Sequence, residues 1–137
     1  MSERIFPLEV VTPTNQIYEG GVRSLQAPGV DGDFEILIGH IPMITALKTG
    51  IMTIRDGSGR NMYAVSGGFV EVLRHQATVL AETIERVEDI DVDRARQAET
   101  RARERLESGK TDVDINRAQS ALNRALNRIK AVEVGAR

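Results

Sequence analysis

The chain has 137 residues, 41% hydrophobic and 28% charged, with a formal net charge of −2. That suits one modest core, or one core plus an appendage, in an ordinary globular protein. It has no cysteine, which excludes disulfides, thiolate metal sites and thiol nucleophiles. With no tryptophan, two tyrosines and three phenylalanines, an aromatic platform for single strands is not expected, and the balanced charge argues against nucleic acid as a partner. No apolar run approaches the ~18 residues that cross a bilayer, so no direct membrane span is expected. Met1-Ser2-Glu3-Arg4-Ile5 has no apolar signal region, so the expected location is intracellular.

The first part of the chain reads as β-structure. In Arg4 to Val11, Leu8 and Val10 alternate against Glu9, which predicts a strand, and Pro7 predicts a sheet edge or a first position in it. Thr12-Pro13-Thr14-Asn15 is a turn cluster. Gln16 to Glu19 is a short strand ending at Gly20-Gly21, and Val22 to Ala27 is another. Pro28 to Asp33 reads as a tight loop, followed by a short buried strand over Phe34 to Ile38. Gly39-His40-Ile41-Pro42 turns the chain into a strand over Met43 to Leu47. Two β-prone runs, Gly50 to Arg55 and Asn61 to Val65, flank Asp56-Gly57-Ser58-Gly59 and predict a hairpin. Strands over Phe69 to Leu73 and Ala77 to Ala81, joined by a turn at Arg74-His75-Gln76, complete the run. Short strands at this spacing predict a β-sandwich or barrel.

No nucleophile elbow, P-loop or paired-histidine metal spacing occurs in this part, so no metal site or catalysis is expected. His40 precedes a proline-bearing turn, where a ring bonded to nearby backbone is the plain expectation, and His75 reads as solvated. The Gly67-Gly68 pair lacks a following helix N-terminus, so it points to a close backbone approach or a bulge rather than a phosphate site.

The chain changes character over Glu88 to Ala95. Residues 1–93 carry 14 acids and 7 bases, whereas residues 94–137 carry 6 acids and 11 bases. Val92, Ala95, Ala98, Ala102 and Leu106 recur at helical spacing behind Asp91, which can cap the helix while Asp93 suits its first turn. Glu107-Ser108-Gly109-Lys110 ends that helix. Thr111 or Asp112 is the expected cap of a second, with Ile115, Ala118, Leu122, Ala125, Ile129 and Val132 on one face. The matching seams predict an antiparallel hairpin. Its first helix offers three alanines and one leucine, a thin apolar grip that favours a mobile hairpin over a static docked one.

At about 100° per residue, Arg117, Arg124 and Arg128 fall within ~40° of one another, about 110° from the apolar face. Ile115 to Val132 holds four bases and no acid. Solvated faces usually mix signs, so this stripe points to an anionic partner; guanidinium groups suit carboxylates or phosphates. The pattern D-x-x-R-A opens both helices, at Asp91 to Ala95 and at Asp114 to Ala118, so part of it is helix-start chemistry.

End to end, the chain resembles the ε subunit of bacterial F-type ATP synthases, equivalent to chloroplast ε and mitochondrial δ. Val11-Thr12-Pro13 followed by Tyr18-Glu19-Gly20 is similar to the family's opening. Gly32 to Pro42 resembles its G-D/E-x-G-I-L-P-x-H-x-P signature, with Glu35 in place of the family glycine and Ile38 in place of the proline. Ser66-Gly67-Gly68-Phe69 resembles its S-G-G-F strand, and Asp89-Ile90-Asp91 stands at its β-to-α seam.

The resemblance implies an α+β fold: a ten-stranded β-sandwich over residues 1–87, then an antiparallel two-helix hairpin over 88–137. It implies a non-catalytic rotor subunit on the cytoplasmic face of the bacterial plasma membrane. The sandwich would bind the γ subunit and the c-ring, linking proton-driven rotation to ATP synthesis. Gly32, His40, Pro42, Gly67, Gly68 and Phe69 carry the rotor-contact signature. The hairpin, when extended, would inhibit ATP hydrolysis by setting Arg117, Arg124 and Arg128 against an acidic loop of the β subunit. No cofactor is required. Regulatory ATP is implied by the I/L-D-x-x-R-A motif, with Glu85, Asp91, Arg94, Arg101, Arg124 and Arg128 as its contacts. The alternatives are a module whose main task is ATP sensing, and a β-sandwich adaptor outside ATP synthase.

Overall fold

The computed structural model describes residues 4–109 and 114–136, and the chain divides into two compact units between Glu85 and Arg86. The first unit contains eight strands: β1 (Phe6–Val11), β2 (Gln16–Val22), β3 (Ser24–Gly29), β4 (Gly32–Ile36), β5 (Met43–Ala46), β6 (Gly50–Asp56), β7 (Gly59–Val72) and β8 (Ala77–Arg86, whose last residue falls past the division). They form one hydrogen-bonded array in the order β2-β1-β8-β7-β6-β3-β4, with β5 also paired to β7.

β7 explains how one array folds over on itself. Through residues 59–65 it pairs with β6, and through residues 69–72 with β5. The change of partner falls at Gly67 and Gly68, with φ of 74° and 114°. A Cβ on Gly68 would land on the Leu80 carbonyl oxygen and lie 2.9 Å from the Ala81 Cα. Gly68 is therefore a close backbone approach, one of the two readings the sequence suggests for the pair, while a Cβ on Gly67 would meet the Glu82 carboxylate. The pair also accounts for part of the strand count: the runs expected at 61–65 and 69–73 are one strand, and the described residues form eight strands rather than ten.

The apolar alternation sets the inner face. In β1, Phe6, Leu8 and Val10 are buried while Pro7 faces out. Leu25, Ile36, Met52, Ile54, Val65, Val70 and Val79 join them in one cluster. At about 1.5–3 kcal/mol for each fully buried large side chain, this cluster supplies the main favourable term for the unit. The expectation that Pro7 marks an edge is corrected. β1 lies between β2 and β8, and Pro7 sits at its second residue, before the ladder to β8 begins at Leu8. The missing N–H is thus not needed there.

A second correction concerns Phe34 to Ile38. The pairing of β4 with β3 ends at Ile36, which is buried; Leu37 and Ile38 lie beyond it and are about half exposed. The chain leaves the sheet into a turn in which the His40 N–H donates to the Leu37 carbonyl at 3.2 Å. Gly39, third in that turn, has φ of 83°, as a type II turn requires. Ile38 fills the second position, where proline is common, and the turn forms without it.

The expected Asp-Gly hairpin is present, pairing Asp56 with Gly59. Asp56 holds its turn. Its carboxylate accepts from the Ser58 backbone N–H at 2.9 Å, the Ser58 hydroxyl at 2.6 Å and the Tyr18 hydroxyl at 2.7 Å. Those bonds, from Ser58 first and Tyr18 next, hold the Asp56 carboxyl below its ordinary range. Burial, and then the bond to Asp56, push the Tyr18 phenol up.

The second unit opens with a single 3-10 turn at Val87–Asp89, followed by α1 (Val92–Glu107) and α2 (Ile115–Gly135). The helices are antiparallel: Gly135, at the end of α2, lies against Val87, just before α1 begins. Ala95 and Ala102 of α1 are buried, as are Ala118, Leu122 and Ala125 of α2, all on the faces the periodicity predicts. Ile115 departs from that face and is 65% exposed; Ala131, outside it, is fully buried. Gly109 follows the Ser108 cap of α1 with φ of 65°, the left-handed position that ends many helices.

Candidate functional sites

The D-x-x-R-A repeat has one structural meaning at both places. Asp91 accepts from the Arg94 backbone N–H at 3.1 Å, and Asp114 from the Arg117 backbone N–H at 3.0 Å. Both aspartates are extended, with φ, ψ of −84°, 103° and −75°, 99°. Each satisfies a donor that the first helical turn leaves without an intrahelical partner. The alanine that closes each motif, Ala95 or Ala118, is 3% exposed and starts the packed face. The cap of α2 is therefore Asp114, three residues before the Arg117 amide that it serves; the expected caps Thr111 and Asp112 lie outside the described residues, as does Lys110.

In both motifs the arginine contributes its backbone to the cap, which leaves its side chain for other work. The guanidinium groups of Arg94, Arg101, Arg117 and Arg124 form no hydrogen bond or ion pair among the described residues. Arg128 does have a partner. Arg94 and Arg101, seven residues apart on α1, differ by only ~20° around the helix. α2 is continuous through Arg117, Arg124 and Arg128, so these share a face as the spacing requires. Arg124 and Arg128 are half-buried and Arg117 is exposed. By contrast, α1 mixes signs: Arg103 pairs with Glu99 at 2.9 Å and Arg96 with Asp93 at 4.0 Å. Glu85 stands near the end of β8 in the first unit, apart in sequence and unit from the other five residues of the ATP set.

The first unit carries a different feature, which no local pattern in the sequence assembles. Residues Ile36 to Pro42, the turn at Val72 to Gln76, and Ile5-Phe6 line an open groove of about 680 Å³. Its walls include Ile5, Leu37, Ile38, Leu73 and Ile41, all substantially exposed, with Ile41 at 77%. Both histidines line it. His40 Nδ1 lies 2.9 Å from the Ile41 carbonyl, which only accepts, so Nδ1 carries a proton and donates there. His75 sits exposed in a turn closed by the Leu73 N–H donating to the Gln76 carbonyl at 2.8 Å. Of the six rotor-contact residues, His40 and Pro42 line this groove. Gly32 opens β4, paired with Gly29 of β3, and Gly67, Gly68 and the half-exposed Phe69 are at the partner change of β7. The signal available in the sequence was a run of large apolar residues, Leu37, Ile38 and Ile41, placed in turn positions that cannot bury them.

Among the described residues, no three His, Asp or Glu side chains gather as a metal site, and no helix is long and apolar enough to cross a membrane. What the fold defines is a β-sandwich unit followed by a paired-helix unit.

Comparison with known proteins makes this specific. Residues 5–87 match the family "ATP synthase, Delta/Epsilon chain, beta-sandwich domain" and residues 88–133 match "ATP synthase, Delta/Epsilon chain, long alpha-helix domain". The ATP synthase epsilon chain of Halalkalibacterium halodurans is 45% identical over 105 residues, covering 77% of this chain and 79% of that one. That of Desulforamulus reducens is 44% identical over 126 residues, covering 92% and 96%. A chain of the Euglena gracilis mitochondrial ATP synthase (OSCP/F1/c-ring) superposes with a TM-score of 0.81 at 21% identity, over 100% of this chain and 84% of that one. One from the Tetrahymena thermophila mitochondrial ATP synthase (central stalk/c-ring) gives 0.61 at 17% identity, over 92% and 95%. This chain belongs to the ATP synthase delta/epsilon family and is a non-catalytic stalk subunit of ATP synthase. The reading as an adaptor outside ATP synthase falls with that assignment.

Proposed function

We propose that the chain is a rotor subunit at the foot of the central stalk, working from the cytoplasmic face of the bacterial plasma membrane. Its sandwich binds γ and the c-ring and links proton-driven rotation to ATP synthesis; its hairpin restrains ATP hydrolysis. The sandwich role is supported by the exposed apolar groove that His40 and Pro42 help to line. The restraint rests on one observation: a continuous helix that carries four bases and no acid from Ile115 to Val132. Like-signed groups on one face repel each other, and an acidic loop of the β subunit would relieve that. Replacing Arg117, Arg124 and Arg128 with alanine is expected to raise ATP hydrolysis by the assembled enzyme while the subunit stays bound. Unchanged hydrolysis would reduce the stripe to a solvated face.

Regulatory ATP is the finer part of the proposal, with Glu85, Asp91, Arg94, Arg101, Arg124 and Arg128 around the nucleotide. Its support is the Arg94 side chain, which the cap does not use, and the matching position of Arg101 on the same face of α1. Calorimetric titration of the chain with ATP is expected to give heat that Arg94→Ala abolishes. No heat with the unsubstituted chain would remove ATP from the mechanism.

A further inference from the structure

Two Asp-Gly pairs occur in the chain, Asp31-Gly32 and Asp56-Gly57, each at the tip of a β-hairpin. In the first, Val30 and Asp31 join β3 to β4, and Gly29 pairs with Gly32. In the second, Gly57 and Ser58 join β6 to β7, and Asp56 pairs with Gly59. Such pairs carry a chemistry of their own. The glycine amide nitrogen attacks the aspartate Cγ; the amide proton and the carboxyl hydroxyl leave together as water, and a five-membered succinimide closes. Water then opens the ring. Opening at Cγ restores aspartate, whereas opening at the former main-chain carbonyl gives isoaspartate, with the main chain running through Cβ and Cγ. One water leaves and one returns, so the mass is unchanged and nothing is oxidised or reduced. Glycine obstructs the attack least because it has no Cβ. The aspartate must be free to turn over the amide and free to take up a proton, since a carboxylate has no hydroxyl to lose.

The two carboxyl groups differ on both counts. Asp56 is half-buried and held on both oxygens. Oδ1 accepts from the Ser58 N–H at 2.9 Å and the Ser58 hydroxyl at 2.6 Å, and Oδ2 from the Tyr18 hydroxyl at 2.7 Å. These bonds fix the side chain and favour its ionised form. Asp31 is exposed, and its side chain forms no hydrogen bond or ion pair among the described residues. Gly32 is also exposed, and a Cβ added there would meet nothing within 4 Å.

We infer that Asp31-Gly32 is a site of spontaneous isoaspartate formation in the folded chain, and that the bonds from Tyr18 and Ser58 to Asp56 keep the same dipeptide at 56–57 from following it. The added main-chain carbon enters a two-residue connection beside the Gly29–Gly32 pair, so ageing lengthens the hairpin tip where β4 begins. This inference stands apart from the rotor reading.

The test holds the full chain at neutral pH and physiological temperature for several weeks. Isoaspartate is counted by methyl transfer from S-adenosylmethionine with an isoaspartate carboxyl methyltransferase, and located by electron-transfer fragmentation of proteolytic peptides. The same chain unfolded in guanidinium chloride gives the intrinsic rates, expected to be similar at both positions. In the folded chain, position 56 is expected to convert at least roughly tenfold more slowly than position 31, because charge-assisted bonds must break before attack. Tyr18→Phe with Ser58→Ala is expected to raise conversion at position 56 roughly tenfold and to leave position 31 unchanged. Circular dichroism of this variant must match the parent; if it does not, Tyr18→Phe alone is read. Asp31→Glu is expected to remove conversion at position 31, since the longer side chain closes a less favourable ring. Equal rates at the two positions in the folded chain overturn the inference. So does an unreactive position 31 in the folded chain while the unfolded chain converts. Position 56 converting as slowly in the folded variants as in the parent overturns the protective role of Tyr18 and Ser58.

Discussion

Gly68→Ala separates a structural glycine from a contact residue. Gly68 is at φ of 114°, and an added Cβ would meet two backbone groups of β8, the Leu80 carbonyl oxygen and the Ala81 Cα. Backbone cannot step aside as a flexible side-chain end can. An alanine held in a sparsely populated region costs about 1–3 kcal/mol, and forced overpacking costs about 1–3 kcal/mol more. The expected loss of about 2–6 kcal/mol is a large share of the ~5–15 kcal/mol that holds a domain together. Gly39→Ala is the internal reference. Gly39 has φ of 83°, but a Cβ added there would meet nothing within 4 Å, so only the strain applies. Urea denaturation of the full chain, followed by the sheet signal in circular dichroism, should therefore place Gly68→Ala well below Gly39→Ala in midpoint. Equal midpoints would refute the close approach. If Gly68→Ala kept full stability but failed to bind the rotor, the glycine would be a contact surface and the reasoning from packing would be wrong.

The other predictions are smaller in scale. Asp91→Ala and Asp114→Ala should each cost about 1 kcal/mol of helix stability, whereas Asn at either position should cost little, because asparagine caps as well; thermal melts monitored at the helix signal decide this, and a cost at only one site would break the equivalence of the two motifs. Asp56 has a depressed carboxyl pKa, so its contribution is complete above the ordinary value of 3.8 and is lost as pH falls through the lower folded value. Acid titration of Asp56→Asn against the parent should show their stability difference shrinking below that value; a constant difference would count against the Ser58 and Tyr18 bonds. Ile38→Pro should stabilise the first unit by about 0.4–1 kcal/mol, since proline suits the second position of the turn that Gly39 completes, and a lowered melting temperature would rule that turn type out.

Local signals carry much of the architecture. The Asp56-Gly57 hairpin, the alanine faces of both helices and the stop at Gly109 depend on neighbours within a few residues, where spacing and turn chemistry act. The stripe of Arg117, Arg124 and Arg128 follows from helical geometry once the helix is continuous. Thr111, Asp112 and Asp114 are all able caps of α2; the repeat at Asp114 to Ala118 points to the last, and its extended backbone and bond to the Arg117 amide decide it.

Composition, the period change near residue 90 and the motif order were enough to determine an α+β subunit with a β body and a paired-helix tail. What needed the tertiary structure were relations between distant residues. Pairing ends at Ile36, opposite Leu25, and the chain then leaves the sheet for a turn, which makes Leu37 and Ile38 exposed walls instead of the expected core. Tyr18 reaches Asp56 across 38 positions. His40 and His75 meet in one groove only because the chain brings the turn after β4 beside the turn after β7. A linear pattern records which residues share a face of one element; which faces meet is set by strand order and by burial of the whole core.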